Sequence, residues 1–308
     1  APVDPSLRNV PGLPYEAHDA VGRVLPRHGE SGRGAPFALT DTDGGGYDDL
    51  IVNGGEGSLT LVRHDGVVRY TVDQFNFPSQ YTATYPFADL LPYDADGDGR
   101  HEVVAVARCV DRTHWRLWVV DIEGQRILGQ MDLPAYPERR PGDNWDGQYV
   151  PVGTLAMPGR SHPGVVLICR VGYDVEGRGV LLVDPLAGEV VWRRDLDAKL
   201  RPWSGAVVDL DGDGRREIVT TSDACDNLDG QTYVGAGDDS SRVFVFEADG
   251  RTRWQQAVGG SGSSAIARVA DLDGDGVREV IVLGRRPRGP RSQLSVWSAS
   301  GKSRASVE

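Results

Sequence analysis

A chain of 308 residues, 39% hydrophobic and 25% charged, can bury a substantial core and has the balance of an ordinary globular protein. Its formal net charge of -12 argues against nucleic acid and anionic membranes as partners, because both require a basic face. No apolar run approaches the roughly 20 residues a membrane-spanning helix needs, so no membrane span is expected.

The chain opens Ala1-Pro2-Val3-Asp4, without an initiator Met or a signal-like segment, as after signal cleavage or at an artificial start. Residues 1–32 carry Pro2, Pro5, Pro11, Pro14 and Pro26 and show no alternation, which predicts an extended N-terminal arm. Such an arm is suited to pair with an edge strand, its own or a neighbour's, and so to support self-assembly.

From residue 33 the chain repeats. Asp94-Ala95-Asp96-Gly97-Asp98-Gly99-Arg100-His101-Glu102 recurs as Asp209-Leu210-Asp211-Gly212-Asp213-Gly214-Arg215-Arg216-Glu217 and as Asp271-Leu272-Asp273-Gly274-Asp275-Gly276-Val277-Arg278-Glu279. A worn copy, Asp41 to Asp49, keeps Asp41, Asp43 and Asp49 but has Gly45 at position 5. Aligning the apolar runs that follow places a further copy at Ala156–Gly164, where every carboxylate is gone. The five starts, 41, 94, 156, 209 and 271, are spaced 53, 62, 53 and 62 residues apart, a period in the range of propeller blades.

Carboxylates at positions 1, 3, 5 and 9, with glycine at 6 and a backbone carbonyl at 7, suit a hard cation with oxygen ligands. Calcium is expected over magnesium, which prefers to keep its waters. The expected ligands are Asp94, Asp96, Asp98, Arg100 (carbonyl) and Glu102; Asp209, Asp211, Asp213, Arg215 (carbonyl) and Glu217; and Asp271, Asp273, Asp275, Val277 (carbonyl) and Glu279. These make three strong sites, with a degenerate fourth at Asp41, Asp43 and Asp49. Millimolar calcium is found outside cells, so the loops favour a secreted, cell-surface or periplasmic home.

Each repeat reads as four short strands. One precedes the acidic loop, and the second, as in Val280–Leu283, follows it and is apolar on both faces. The third strands are Leu59–Val62, Leu117–Val120, Val180–Val183, Val243–Phe246 and Leu294–Trp297. Turns ending in Gly66, Gly124, Gly188, Gly250 and Gly301 lead to a more polar fourth strand carrying Trp or Tyr. The prediction is an all-β propeller of five four-stranded antiparallel blades over 33–308, starting near 33, 86, 149, 203 and 263. Five units either close a ring, form part of a larger one, or are completed by another chain.

The unit Asp-x-Asp-Gly-Asp-Gly-x-x-Glu followed by two β-branched residues resembles the FG-GAP/VCBS repeat of integrin-α-like propellers. That resemblance covers 33–308 and implies calcium in a structural role. The third and fourth strands, "DPLAGEVVWRRDL" and "FEADGRTRWQQAV", also resemble the quinoprotein-type propeller repeat.

In a meander the 1–2 and 3–4 turns share one face, so the 2–3 loops and 4–1 connectors open opposite the acidic loops. Those segments hold His114, Trp115, Tyr136, Trp145, Tyr149 and Trp203, which suit contact with a protein or glycan partner. The expected function is a non-catalytic binding, adhesion or assembly module. The alternative is a polysaccharide lyase or sugar-binding propeller for acidic glycans, with His114 and Arg112, or Tyr136 with Arg139 and Arg140, handling the proton and the uronate. Cys109, Cys169 and Cys225 lack metal spacing; they either pair or serve as small buried hydrophobes.

Overall fold

The computed structural model describes residues 15–18, 23–26, 37–55, 58–72, 89–108, 115–134, 148–170, 178–228, 230–285 and 292–307. Among them are 22 strands and no helix. His114, Tyr136, Trp145, Cys109 and the arginines expected beside them at 112, 139 and 140 lie outside the described residues. The chain divides into two compact units, residues 1–133 with 185–187, and residues 134–184 with 188–308.

In the first unit, β1 (Tyr15–His18) and β2 (Arg23–Pro26) pair antiparallel from Tyr15 opposite Pro26 to His18 opposite Arg23. The sequence reading there is an extended arm without alternation. Asp19 and Gly22 between the two strands are turn formers, which is the signal for a hairpin. Strands β3 (Phe37–Thr40), β4 (Asp49–Gly55), β5 (Ser58–Val62) and β6 (Val68–Val72) form one up-and-down sheet. β7 (Asp89–Tyr93), β8 (Glu102–Arg108), β9 (Trp115–Asp121) and β10 (Arg126–Leu133) form a second. One core cluster, including Ile51, Leu59, Leu61, Val103, Ala105 and Trp118, draws on both sheets.

The second unit repeats the plan. β11 (Gln148–Ala156), β12 (Pro163–Arg170), β13 (Arg178–Asp184) and β14 (Glu189–Leu196) make one sheet. β15 (Lys199–Val208), β16 (Glu217–Asp223), β17 (Ser241–Phe246) and β18 (Thr252–Gly259) form a meander. So do β19 (Ser264–Ala270), β20 (Glu279–Arg285), β21 (Gln293–Trp297) and β22 (Ser303–Val307). A single pair, Asp223 opposite Ser264, joins these last two into one eight-stranded sheet.

The period-2 rule explains which strands lie deepest. β12 and β13 have no polar face and are buried almost end to end, whereas β14 and β22 are largely exposed. Packing a sheet on the next one buries both faces of the middle strands, and two further cores form this way. One holds Ile168, Leu182, Phe244 and Phe246; the other holds Val219, Val245, Val280 and Val282.

The seams between meanders are closed by fourth-strand tryptophans. Trp192 on β14 donates its indole N–H to the Ala248 carbonyl at 3.0 Å, and Trp254 on β18 donates to Ala299 at 2.8 Å. Each ring lies over the glycine of that 3–4 turn. A Cβ on Gly250 would meet Trp192 at 2.8 Å, and one on Gly301 would meet Trp254 at 2.8 Å; both glycines sit at φ +80. Gly129 holds the place of these tryptophans in β10, and there Pro185 and Leu186 close against the bare backbone.

Gly301→Ala therefore combines a left-handed conformation, costing about 1–2 kcal/mol for any other residue, with an indole collision. The expected result in urea unfolding is a loss of about 2 kcal/mol or more with an unchanged slope. Trp254→Phe, which removes only the hydrogen bond and part of the ring, is expected to cost about 1 kcal/mol.

Candidate metal centres

All five repeat loops fall between the first and second strands of their meanders, and the acidic four share one internal scaffold. The position-1 carboxylate accepts from the amides at positions 4 and 6. Gly97 and Gly99 donate to Asp94 at 2.7 and 3.3 Å, Gly212 and Gly214 to Asp209 at 2.8 and 3.0 Å, and Gly274 and Gly276 to Asp271 at 2.7 and 2.9 Å. These glycines all have φ between +78 and +87, so position 4 needs glycine as much as position 6 does. The position-5 carboxylate turns back on the amide at position 7, at 2.7 to 2.8 Å in Asp98, Asp213 and Asp275.

Position 9 opens the second strand. Glu102, Glu217 and Glu279 each accept from the position-2 amide, at 2.9, 2.9 and 3.0 Å. Burial pushes the Glu102 and Glu217 carboxyls above the usual glutamate range. One oxygen of each glutamate is thus tied to the loop, and the other oxygen of Glu217 and Glu279 meets an arginine.

The scaffold gathers carboxylate oxygens within 4.8 Å of one another in three places: Asp94, Asp96 and Asp98; Asp209, Asp211 and Glu217; and Asp271, Asp273 and Glu279. An oxygen-only donor set of this kind fits a hard divalent cation. The buried Oε1 of Glu279 is met by the Arg304 guanidinium at 2.7 Å, a cation already standing where a metal would supply charge. Arg100, Arg215 and Val277 stand at position 7, where a backbone carbonyl is on offer. Among the described residues the first loop makes no such cluster. Asp41 there accepts from the Gly46, Gly44, Asp43 and Gly45 amides, led by Gly46, which hold its carboxyl below the usual range. Asp49 is fully buried and receives the Thr42 hydroxyl at 2.6 Å and the His64 amide at 2.9 Å.

Sequence reasoning missed a guanidinium at each acidic loop. Arg63 pairs with Asp43, Asp49 and Glu123, and Arg100 with Asp98 at 2.6 Å. Arg253 pairs with Asp211 and lies 3.4 Å from Glu217; Arg304 lies 2.8 Å from Asp273 and 2.7 Å from Glu279. Hydrogen bonds from Arg253 and Arg304 hold the Asp211 and Asp273 carboxyls below the usual range. A signal existed: Arg253 and Arg304 both stand three residues past a turn glycine, as does Arg69 in the first repeat.

Of the aromatic residues assigned to ligand contact, Trp115 and Tyr149 are buried, and the Tyr149 hydroxyl donates to the Pro134 carbonyl. Trp203 is 49% exposed. It sits in a register shift of β15 between Arg201 and Ala206, where a bulge re-aims the side chain. The Arg170 and Arg201 guanidinium carbons lie 4.3 and 5.0 Å from its ring centre. Nearby, Arg178 anchors the insertion after β16 by donating to the Asp197 carbonyl at 2.5 Å and pairing with buried Asp238 at 3.3 Å. Cys169 is buried, and Cys225 is a free thiol.

No protein-family model matches this sequence, and no curated protein does. Solved structures do. The Dos1 propeller aligns over 96% of this chain and 61% of its own, with a TM-score of 0.51 at 13% identity. A Synechocystis apocarotenoid oxygenase aligns over 88% of this chain and 60% of its own, with a TM-score of 0.53 at 10% identity. What is shared is the fold. It is a β-propeller. The chain spans about 60% of the length of these two structures.

Arg253 bears directly on the metal question. Without metal, Arg253→Gln leaves the buried Glu217 and Asp211 without a counter-charge and is expected to cost about 1–3 kcal/mol. In saturating calcium the loss is expected to shrink, because the ion supplies the missing charge. Paired denaturation curves in chelator and in calcium check this.

Proposed function

We propose that the chain is a five-bladed, calcium-stabilised propeller of the FG-GAP/VCBS type, working outside the cytoplasm as a binding or assembly module. The observation that carries the reading is one loop geometry built three times, each copy with glycines at positions 4 and 6 and a tethered glutamate at position 9. In this reading Asp94, Asp209 and Asp271 spend their amide-facing lone pairs on the loop and the remaining ones on the ion. The carbonyls of Arg100, Arg215 and Val277 complete the cages, and the arginines relax away as the ion supplies charge. The first loop stays metal-free, because Arg63 already serves Asp43 and Asp49.

A second reading, recognition of an acidic glycan, is favoured by Trp203. A half-exposed indole gives a platform for the apolar face of a sugar ring, and Arg170 and Arg201 beside it suit a uronate carboxylate. His114 and Tyr136, the residues a lyase would use for proton transfer, lie outside the described residues.

Calcium added to chelator-treated protein is expected to raise the melting temperature. A site held a hundredfold above its Kd contributes about 2.7 kcal/mol, and Asp271→Ala is expected to remove one site's share. A melting curve indifferent to calcium would sink the metal reading. For the glycan, Trp203→Ala is expected to abolish retention on a uronate-rich polysaccharide column while leaving the calcium response intact; absorbance from unsaturated uronate products would mark a lyase instead.

A further inference from the structure

We infer that a cleft beside the third repeat loop is a binding site for a small organic anion, one with an apolar or aromatic body and a single negative group. The site needs no bound metal and lies away from Trp203.

The cleft has a volume of about 1020 Å³. That is at the upper end of the range for small-ligand pockets, about 300–1,000 Å³. Its floor is apolar, formed by Leu155, Met157, Leu182, Val191, Trp192 and Ala248. Val191 is 45% exposed there, although apolar side chains in neighbouring strands are covered. The floor is also rigid. Trp192 is pinned by its bond to the Ala248 carbonyl, and a Cβ on Gly164 would collide with Leu182 and Met157 at 2.8 and 2.9 Å.

The third loop has exchanged its carboxylates for basic side chains. Arg160 stands at position 5, where the intact loops have aspartate, and His162 stands at position 7. Both turn inward: His162 Nε2 lies 2.9 Å from Asp184, and Arg160 lies 3.5 Å from Asp184 and 2.5 Å from Glu189. Both side chains are therefore turned to the carboxylates that flank the adjoining 3–4 turn. The charge left for a ligand is on the opposite wall, on Arg215 and Arg216 of the fourth loop.

Arg216 is available where its counterpart is not. Its counterpart one repeat later, Arg278, donates its side chain to the Asp209 carbonyl of the preceding loop and its amide to the Leu210 carbonyl at 2.8 Å. The loop preceding Arg216 is the degenerate third one. The Arg215 and Arg216 side chains instead line the cleft, are exposed, and pair with no carboxylate among the described residues. Asp249, the acidic residue on the rim, is engaged by Arg251 at 2.7 Å. Two free guanidiniums over an apolar floor select an anion that brings its own hydrophobic body.

The test compares two dyes that differ by the charged group: anilinonaphthalene sulfonate and phenylnaphthylamine, which lacks the sulfonate. Fluorescence titration of the full chain is expected to show one saturable site, with the sulfonate dye bound about tenfold or more tighter than the neutral dye. Arg215→Gln with Arg216→Gln is expected to erase that preference without weakening the neutral dye. Val191→Glu, which places a negative charge on the exposed part of the floor, is expected to weaken the sulfonate dye at least as strongly and carries the test alone if the double variant does not fold. Equal binding of the two dyes by the wild-type protein overturns the assignment, as does tight sulfonate-dye binding by Val191→Glu. Neither dye reports on calcium or on glycan, so failure here leaves the proposed function standing, and the reverse.

Discussion

Carboxylates held within a few ångströms of one another repel, and that constraint shapes every repeat of this chain. Two charges 4 Å apart interact by about 4 kcal/mol at an effective dielectric of 20. No loop can gather three of them without an answer. Position-1 aspartates are answered by amides from left-handed glycines, which also shape the turn. The remainder require a cation, and the protein carries one in each acidic loop as an arginine. A divalent ion and a guanidinium are then alternative answers to one electrostatic problem.

The repeats differ in how they meet this constraint, and the differences follow single residues. In the first loop Gly45 removes one acid, Asp49 withdraws into the core under Thr42, and Arg63 settles the charge. The second keeps its acids exposed and pairs Asp98 with Arg100. The fourth and fifth reach across to an arginine on the outer strand. The third abandons carboxylates altogether and imports Arg160 and His162, which meet Asp184 at the third strand's end.

Much of the fold was legible because strand periodicity and loop spacing are local. The third strands at Val180–Val183 and Val243–Phe246 fall inside β13 and β17, and the turn glycines at 188, 250 and 301 are at positive φ. The acidic positions were legible for the same reason. What escaped were properties that depend on partners distant in sequence. Arg253 and Arg304 read as ordinary polar residues of an outer strand until the sheet brings them back over the loop. Trp115 and Tyr149 read as loop aromatics, but β9 and β11 start early enough to draw both into the core. Trp192 and Trp254 read as a wet outer edge, yet their neighbours along the chain's third dimension are the glycine turns of the following meander.

The tryptophan seam and the loop chemistry also constrain each other. Both act on the face that holds the 1–2 and 3–4 turns, and Glu247, at the end of β17, touches Arg253 at 3.6 Å while Gly250, three residues on, receives Trp192. A shift of that turn therefore moves the counter-charge of one loop and the seam of its neighbour together. Two stiff elements, a left-handed glycine under an indole and a carboxylate cluster around a cation, meet within a few residues. The third loop, which has no carboxylate cluster of its own, shares that turn's Ala248 and Trp192 with the open cleft. The same residues that seal the seam there form the floor on which a ligand would rest.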